Sequence, residues 1–404
     1  MSNLTLKSKA SRLFFKFKNI GENHLIYYPA PTNLFYAWGI GSLLGILLVI
    51  QVATGVLLAM HYVPHIDEAF TSVERIMREV PSGWLLRYMH ANGSSFLFIL
   101  LYAHVARGLY YQSYKKPKQW VWCSGALLFI LMAGIAFLGY TLPWGQMSFW
   151  GSTVITNLLT AIPFFGSKLV VWIWGGFAIN QNTLNRFFSL HYFLSIIVLA
   201  LSAAHLAILH LVGSTSPTVN EVELDYTKFT PYFAIKDLVT LVGFLFVYFF
   251  IVFYKPNLFG HPDNYIRADA LVTPAHIVPE WYFLPFYAML KAFPSKAAGA
   301  IAMLSSMLIL FAVPWLDSVV MGCGSLITDP RYKPGFTSAY LVFVLNMFVL
   351  GWLGGLAVSD VNQIWMQFCT VIYFSYFLLV IPAFTYSEWL FLVYQNKLKI
   401  SKNI

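Results

Sequence analysis

Eight long apolar segments follow one another along the chain, at about 33–60, 88–112, 121–142, 187–212, 237–254, 297–320, 338–358 and 364–393. A helix needs roughly 20 apolar residues to cross the hydrocarbon core of a bilayer. In lipid, a spanning segment must satisfy its backbone hydrogen bonds internally, as a helix does. The reading is an all-α integral membrane protein with eight transmembrane helices. Only 10% of the 404 residues are charged and 59% are hydrophobic, whereas a soluble domain carries about 25% charge. Runs of this length exclude an outer-membrane barrel, whose strands alternate. The composition also excludes a disordered chain and a nucleic-acid module, despite the net charge of +9. Cys123, Cys323 and Cys369 stand in or beside apolar stretches and form neither a disulfide framework nor a thiolate cluster.

The stretch 169–179 is apolar but too short to cross, and its tryptophans suit the headgroup level. It is therefore expected to lie at the interface, within a long connection over 145–186. With eight spans, both termini and the connections 113–120, 213–236 and 321–337 share one side, which carries fifteen Lys and Arg against nine on the other. That bias marks the first side as the negative one. The first thirty residues lack the apolar core of a cleavable signal. Phe14, Phe15 and Phe17 alternate there with basic residues, which predicts a helix lying on the membrane surface. The expected division is a surface segment over 1–32, a four-helix half over 33–236 with its interfacial loop, and a second half over 237–404 that includes a loop at 255–296.

Two spans carry histidine pairs, His90 with His104 and His191 with His205, each separated by 14 residues. Fourteen residues turn a helix through ~1400°, close to four full turns, and advance it ~21 Å. Each pair therefore occupies one helix face at two depths. One span intervenes, so the two helices run parallel, and His90 comes level with His191 and His104 with His205. Opposed imidazoles without a neighbouring carboxylate or thiolate suit a planar metal centre with two axial ligands, which is haem. No C-x-x-C-H attachment motif occurs, so two b-type haems would be held non-covalently. Gly41 with Gly55, and Gly125 with Gly139, repeat the interval of 14 in the neighbouring spans and would admit a bulky planar group against the backbone. Arg87, Arg107 and Arg186 stand where haem propionates would need cations. Two haems stacked through a bilayer carry electrons across it, and a lipid-soluble quinone is a fitting donor or acceptor.

The stretches RYMHANGSS (87–95), LPWGQMSFWGSTVITNL (142–158), NRFFSLHY (185–192) and KPNLFGHPDNY (255–265), with Pro279-Glu280-Trp281-Tyr282, resemble the mitochondrial or alphaproteobacterial cytochrome b family. Its members are central subunits of ubiquinol:cytochrome c reductase, respiratory complex III. The resemblance runs from about residue 24 to 390. It implies a low-potential haem on His90 and His191 at the positive side, and a high-potential haem on His104 and His205 at the negative side. It also implies ubiquinol oxidation near Glu280 and Tyr282, with quinone reduction near His210, Ser214, Lys236 and Asp237. The implied partners are a Rieske iron–sulfur protein, cytochrome c1, accessory subunits and a second copy of the complex. The implied location is the mitochondrial inner membrane, with a bacterial plasma membrane as the alternative. Two other functions fit the histidines: a transporter using them as proton relays, and a dihaem anchor for another enzyme. His61, His65, His24, His261 and His276 read as interfacial or loop residues.

Overall fold

The computed structural model describes residues 22–24, 26–218, 225–318, 329–330 and 333–402. The surface helix expected within the first twenty residues, and Cys323, lie outside them. The chain enters through a short strand, β1 (Pro29–Pro31), and then the first long helix, α1 (Ile40–Ala59). A short helix on the far side, α2 (Ala69–Arg78), leads into α3 (Gly83–Tyr110), which runs back beside α1. Helix α4 (Gln119–Thr141) follows. The expected interfacial connection contains two short helices, α5 (Gln146–Asn157) and α6 (Gly166–Trp174), of 12 and 9 residues. Neither is long enough to cross a bilayer.

Helix α7 (Gln181–Val212) begins with a capping box in which Asn180 and Thr183 satisfy each other's backbone N–H groups. It packs along α4, as α3 packs along α1, and α1 also meets α7, which closes a four-helix bundle. Strand β2 (Tyr226–Lys228) pairs antiparallel with β1, Pro29 opposite Lys228, tying the N-terminal segment to the connection after α7. Helix α8 (Ala234–Tyr254), placed by sequence in the second half, packs along α1 and α3 of the first.

The rest of the chain comprises the loop helix α9 (Leu284–Lys291) and the long helices α10 (Lys296–Leu316), α11 (Phe336–Gly355), α12 (Asp360–Ser375) and α13 (Ile381–Lys402). Lys291 Nζ donates to the Gly354 and Leu356 carbonyls at 2.8 and 2.7 Å, fixing α9 at the end of α11. Buried ion pairs tie the loop after α3 to the end of α10, Lys115 with Asp317 at 3.8 Å, and the connection before α11 to α13, Lys333 with Glu388 at 3.3 Å.

Among the described residues, seven helical stretches are both long and apolar enough to cross a membrane. Helix α3 is not among them, although its 28 residues would extend about 42 Å. Its apolarity is lowered by Asn92 and by Arg87, His90, His104 and Arg107, the residues from which a function was read. With α3 the count reaches the expected eight.

Candidate functional site

Each glycine of the two spaced pairs lies against one histidine of the two spaced pairs. A Cβ built on Gly55 would stand 3.0 Å from His90 Cε1, and on Gly41 3.5 Å from His104 Cε1. On Gly139 it would stand 2.5 Å from His191 Cε1, and on Gly125 3.2 Å from His205 Cε1. The crossed order within each couple follows from antiparallel packing. The His90 and His191 rings face each other with centroids 6.2 Å apart. A metal–imidazole bond of about 2 Å on each side would give a separation of roughly 6 Å, so the spacing leaves room for one ion between the two rings, whose planes stand 79° apart. No cluster of three or more His, Cys, Asp or Glu occurs among the described residues.

The hydrogen bonds to Nδ1 decide which ring nitrogen is available. His191 Nδ1 donates to the Ile135 carbonyl at 2.8 Å. Thr54 and Ser124 already give their hydroxyl protons to backbone carbonyls, so His90 donates to Thr54 Oγ1 at 3.1 Å and His205 to Ser124 Oγ at 2.8 Å. These three rings keep Nε2 as a bare ligand nitrogen. At His104 the contact is reversed: Arg107 Nη2 donates to Nδ1 at 3.2 Å, which leaves the ring proton on Nε2. A propionate carboxylate would draw Arg107 away and release that nitrogen, and Arg107 Nε is buried without a partner. The residues present therefore fit two non-covalent haems. Thr54 and Ser124 were not singled out from sequence, although each precedes one of the spaced glycines.

Gly139 gives the sharpest test of this fit. Gly139→Ala places a methyl group where only 2.5 Å is open, and overpacking of this kind costs about 1–3 kcal/mol. The expected result is haem retention weakened by roughly tenfold or more, confined to one of the two centres and read from the optical spectrum. Gly134→Ala, where nothing lies within 4 Å, is the control and should retain both.

A cavity of about 770 Å³ joins the His90–His191 slot to Arg87, Glu280 and Tyr282. The Tyr282 ring is buried and lies flat on Phe98, with centroids 4.0 Å apart, while Tyr102 donates to its carbonyl. Trp281 Nε1 donates to Ser95 Oγ at 3.1 Å. These contacts pin the Pro-Glu-Trp-Tyr turn onto α3, beside the histidine face. Burial pushes the Glu280 carboxyl up to about 7, against the opposing pull of a Tyr140 hydrogen bond and the Arg87 guanidinium. Arg186 is placed apart from this cavity's wall, with its guanidinium donating to the Trp172 and Ile173 carbonyls at the end of α6.

At the other end of the bundle, Tyr28 lies over His210, with centroids 4.3 Å apart, and reaches Ser214 Oγ at 3.5 Å. Ser42 donates to Asp237 Oδ2 at 2.5 Å, and Lys236 Nζ to the Leu34 carbonyl at 2.6 Å. The segment 28–42 thus holds both groups, although no hydrogen bond joins them among the described residues. His24, expected as an ordinary loop residue, brings its Nδ1 to 2.7 Å from that of His210.

The stretches 142–158 and 255–265, quoted above for the resemblance, also meet. Ser148 donates through its backbone N and its hydroxyl to Asn264 Oδ1, at 2.9 and 3.0 Å. Gln146 N and the Ile266 carbonyl add a backbone bond of 2.9 Å.

Comparison with known proteins agrees with this geometry. A family model described as Cytochrome b/b6/petB matches residues 25–213, and one described as Cytochrome b(C-terminal)/b6/petD matches 267–374. Cytochrome b of Chondrus crispus is 49% identical over 365 residues, covering 90% of this chain and 94% of the relative. That of Rickettsia prowazekii is 51% identical over 361 residues, covering 89% of each. A solved chain described as "Hyperthermophilic respiratory Complex III" superposes with a TM-score of 0.85 at 31% identity, over 92% of this chain and 96% of that one. Paired histidines against paired glycines, the two family matches and half-identical relatives along nine-tenths of the sequence have one reading: the chain belongs to the cytochrome b family.

Proposed function

We propose that this chain is the dihaem subunit of a quinol:cytochrome c reductase, oxidising ubiquinol at the positive side and reducing quinone at the negative side. The observation that carries this reading is the cavity shared by Glu280, Tyr282 and the His90–His191 pair. Bound between the imidazole pairs, two b-type haems would move electrons singly across the membrane. The chain's own residues handle orientation and protons. Glu280 accepts a proton from a quinol hydroxyl, with Tyr282 and its aromatic neighbours excluding water around it. Arg87 and Arg107 supply positive charge for propionates, with Arg107 responding to its unpaired buried Nε–H. Arg186, spent on α6, steadies the interfacial hairpin instead. His210 and Asp237 deliver protons to the quinone carbonyls, with Ser214 and Lys236 shaping the pocket.

In this reading, residues 33–236 form the dihaem half, and 237–404 supply quinol-site and partner surfaces. The complex would include a Rieske iron–sulfur protein, cytochrome c1 and accessory subunits, assemble as a dimer, and reside in the mitochondrial inner membrane or a bacterial plasma membrane.

An optical redox titration of the purified complex tests the proposal. Two b-type components of different potential are expected; a transporter using histidine relays would show none. Quinol oxidation that depends on Glu280 distinguishes the catalytic subunit from a dihaem anchor. Asp237→Asn keeps shape while removing an ionisable group. It should slow reoxidation of the negative-side haem by quinone and leave haem content unchanged, whereas unaltered reoxidation across pH 6 to 9 would reduce Asp237 to a helix-boundary charge.

A further inference from the structure

We propose that His24 is a further proton-handling residue of the quinone-reduction site, forming with His210 a two-imidazole relay between water and the quinone carbonyl. This rests on the placement of quinone at His210 given above. The rings are 10° from parallel, with centroids 4.9 Å apart and Nδ1 atoms only 2.7 Å apart. They lie edge to edge, the shape of an N–H···N hydrogen bond rather than of a face-to-face stack. One nitrogen must carry the proton and the other must accept it. Imidazole is suited to this exchange because its ordinary pKa lies near neutrality. His24 is exposed and His210 half-buried, so the pair runs from solvent inward.

The fold holds the two rings together. Phe229 N donates to the Tyr28 carbonyl at 2.9 Å and Thr230 N to the Ile26 carbonyl at 3.3 Å, extending the β1–β2 pairing toward His24. Tyr28 lies over His210. Among the described residues, other ionisable groups on the surrounding elements include Glu22, Asp225, His205, Lys118, which donates to Thr215 Oγ1 at 3.0 Å, Lys228 over Tyr27, and Lys236 with Asp237.

Reduction of quinone to quinol takes two electrons, supplied singly by the haem pair of the proposed function, and two protons. For one of these protons, His24 is first protonated by water to the imidazolium. His210 Nε2–H is transferred to a quinone oxygen, forming the O–H bond, while His210 Nδ1 takes the proton from His24 Nδ1. Both rings end neutral, and one proton has moved from water to quinone. The second proton comes from the Asp237 side.

The test uses the whole purified complex carrying His24→Gln, His210→Gln, or both, with reoxidation of the negative-side haem by a short-chain ubiquinone as the readout. His24→Gln is expected to slow reoxidation about five- to tenfold, below the full range of general acid–base effects because water replaces part of the relay. The KM for quinone should stay constant, the pH profile should flatten, and the double variant should be no slower than His210→Gln alone. Added imidazole should restore the rate in His24→Gly. Independently of turnover, histidine C2 hydrogen–deuterium exchange read by mass spectrometry should show the His24 titration midpoint moving in His210→Gln. If His210→Gln slows reoxidation while His24→Gln leaves rate and pH profile unchanged, His24 is a packing residue and the proposal fails. If neither variant slows it, the placement of quinone at His210 fails, and the relay with it.

Discussion

Leucine in place of either His90 or His191 should abolish one and the same haem, and leucine in place of either His104 or His205 should abolish the other. Each centre would be held by one imidazole from α3 and one from α7, and an axial ligand has no substitute at that depth. Around His90 and His191 the wall is largely apolar, and their nearest polar partners, the Thr54 hydroxyl and the Ile135 carbonyl, are engaged at Nδ1 rather than at the nitrogen left for a metal. Losing either partner therefore forfeits the whole centre rather than half of its affinity. Optical spectra of the four single variants provide the check, with one b-type component missing in each. His90→Leu and His191→Leu removing different components would overturn the pairing of depths.

The second large effect is expected at Glu280. In the proposed function, quinol oxidation would release two protons into a cavity whose wall includes Tyr140, Phe98 and Tyr282, where a bare proton has no favourable place. Glu280→Gln retains size and hydrogen bonding but cannot accept a proton. General-base contributions are typically ~10²- to 10⁴-fold, and in Glu280→Gln water would take over part of the task. The expected loss is roughly tenfold or more in quinol oxidation, with both haems and quinone reduction retained. The pH dependence has a definite sign. The carboxyl, raised to about 7, must be ionised to act as a base, so the wild-type rate should rise through pH 6 to 7 and level off above. That limb should disappear in Glu280→Gln. Wild-type turnover with an unchanged pH profile would leave Glu280 as a structural residue at the start of its turn.

Much of the four-helix bundle was legible in the chain because a helix converts sequence interval into position. An interval of 14 returns a side chain to nearly the same face four turns further on, and the alternation of direction between successive spans brings equal intervals level. The short interfacial stretch was recognisable for a related reason, since hydrocarbon thickness sets a minimum length for crossing. The polarity of α3 shows the limit of an apolarity criterion: the residues that give the helix its use make it read as less membrane-like.

What periodicity does not encode is which neighbour reaches a given atom. Sequence placed the glycine pairs in spans neighbouring the histidine pairs, but only packing showed Gly139 against His191 and Gly55 against His90, and only hydrogen bonds pointed to the free nitrogen of each ring. Arg186 and His24 illustrate the same limit in opposite directions. Arg186 stands five residues before His191, yet its guanidinium is taken by the carbonyls of a helix that sequence distance does not couple to it. His24 lies 186 residues from His210, and a three-residue strand pairing draws the two together. The sequence by itself determined the membrane-spanning helices, the depths of the four imidazoles and the family, because these depend on interval and composition along single elements. The tertiary structure alone decided ring tautomers, the cavity uniting Glu280 with the His90–His191 pair, and the His24–His210 contact, because each depends on atoms from separate elements meeting within a hydrogen bond's length.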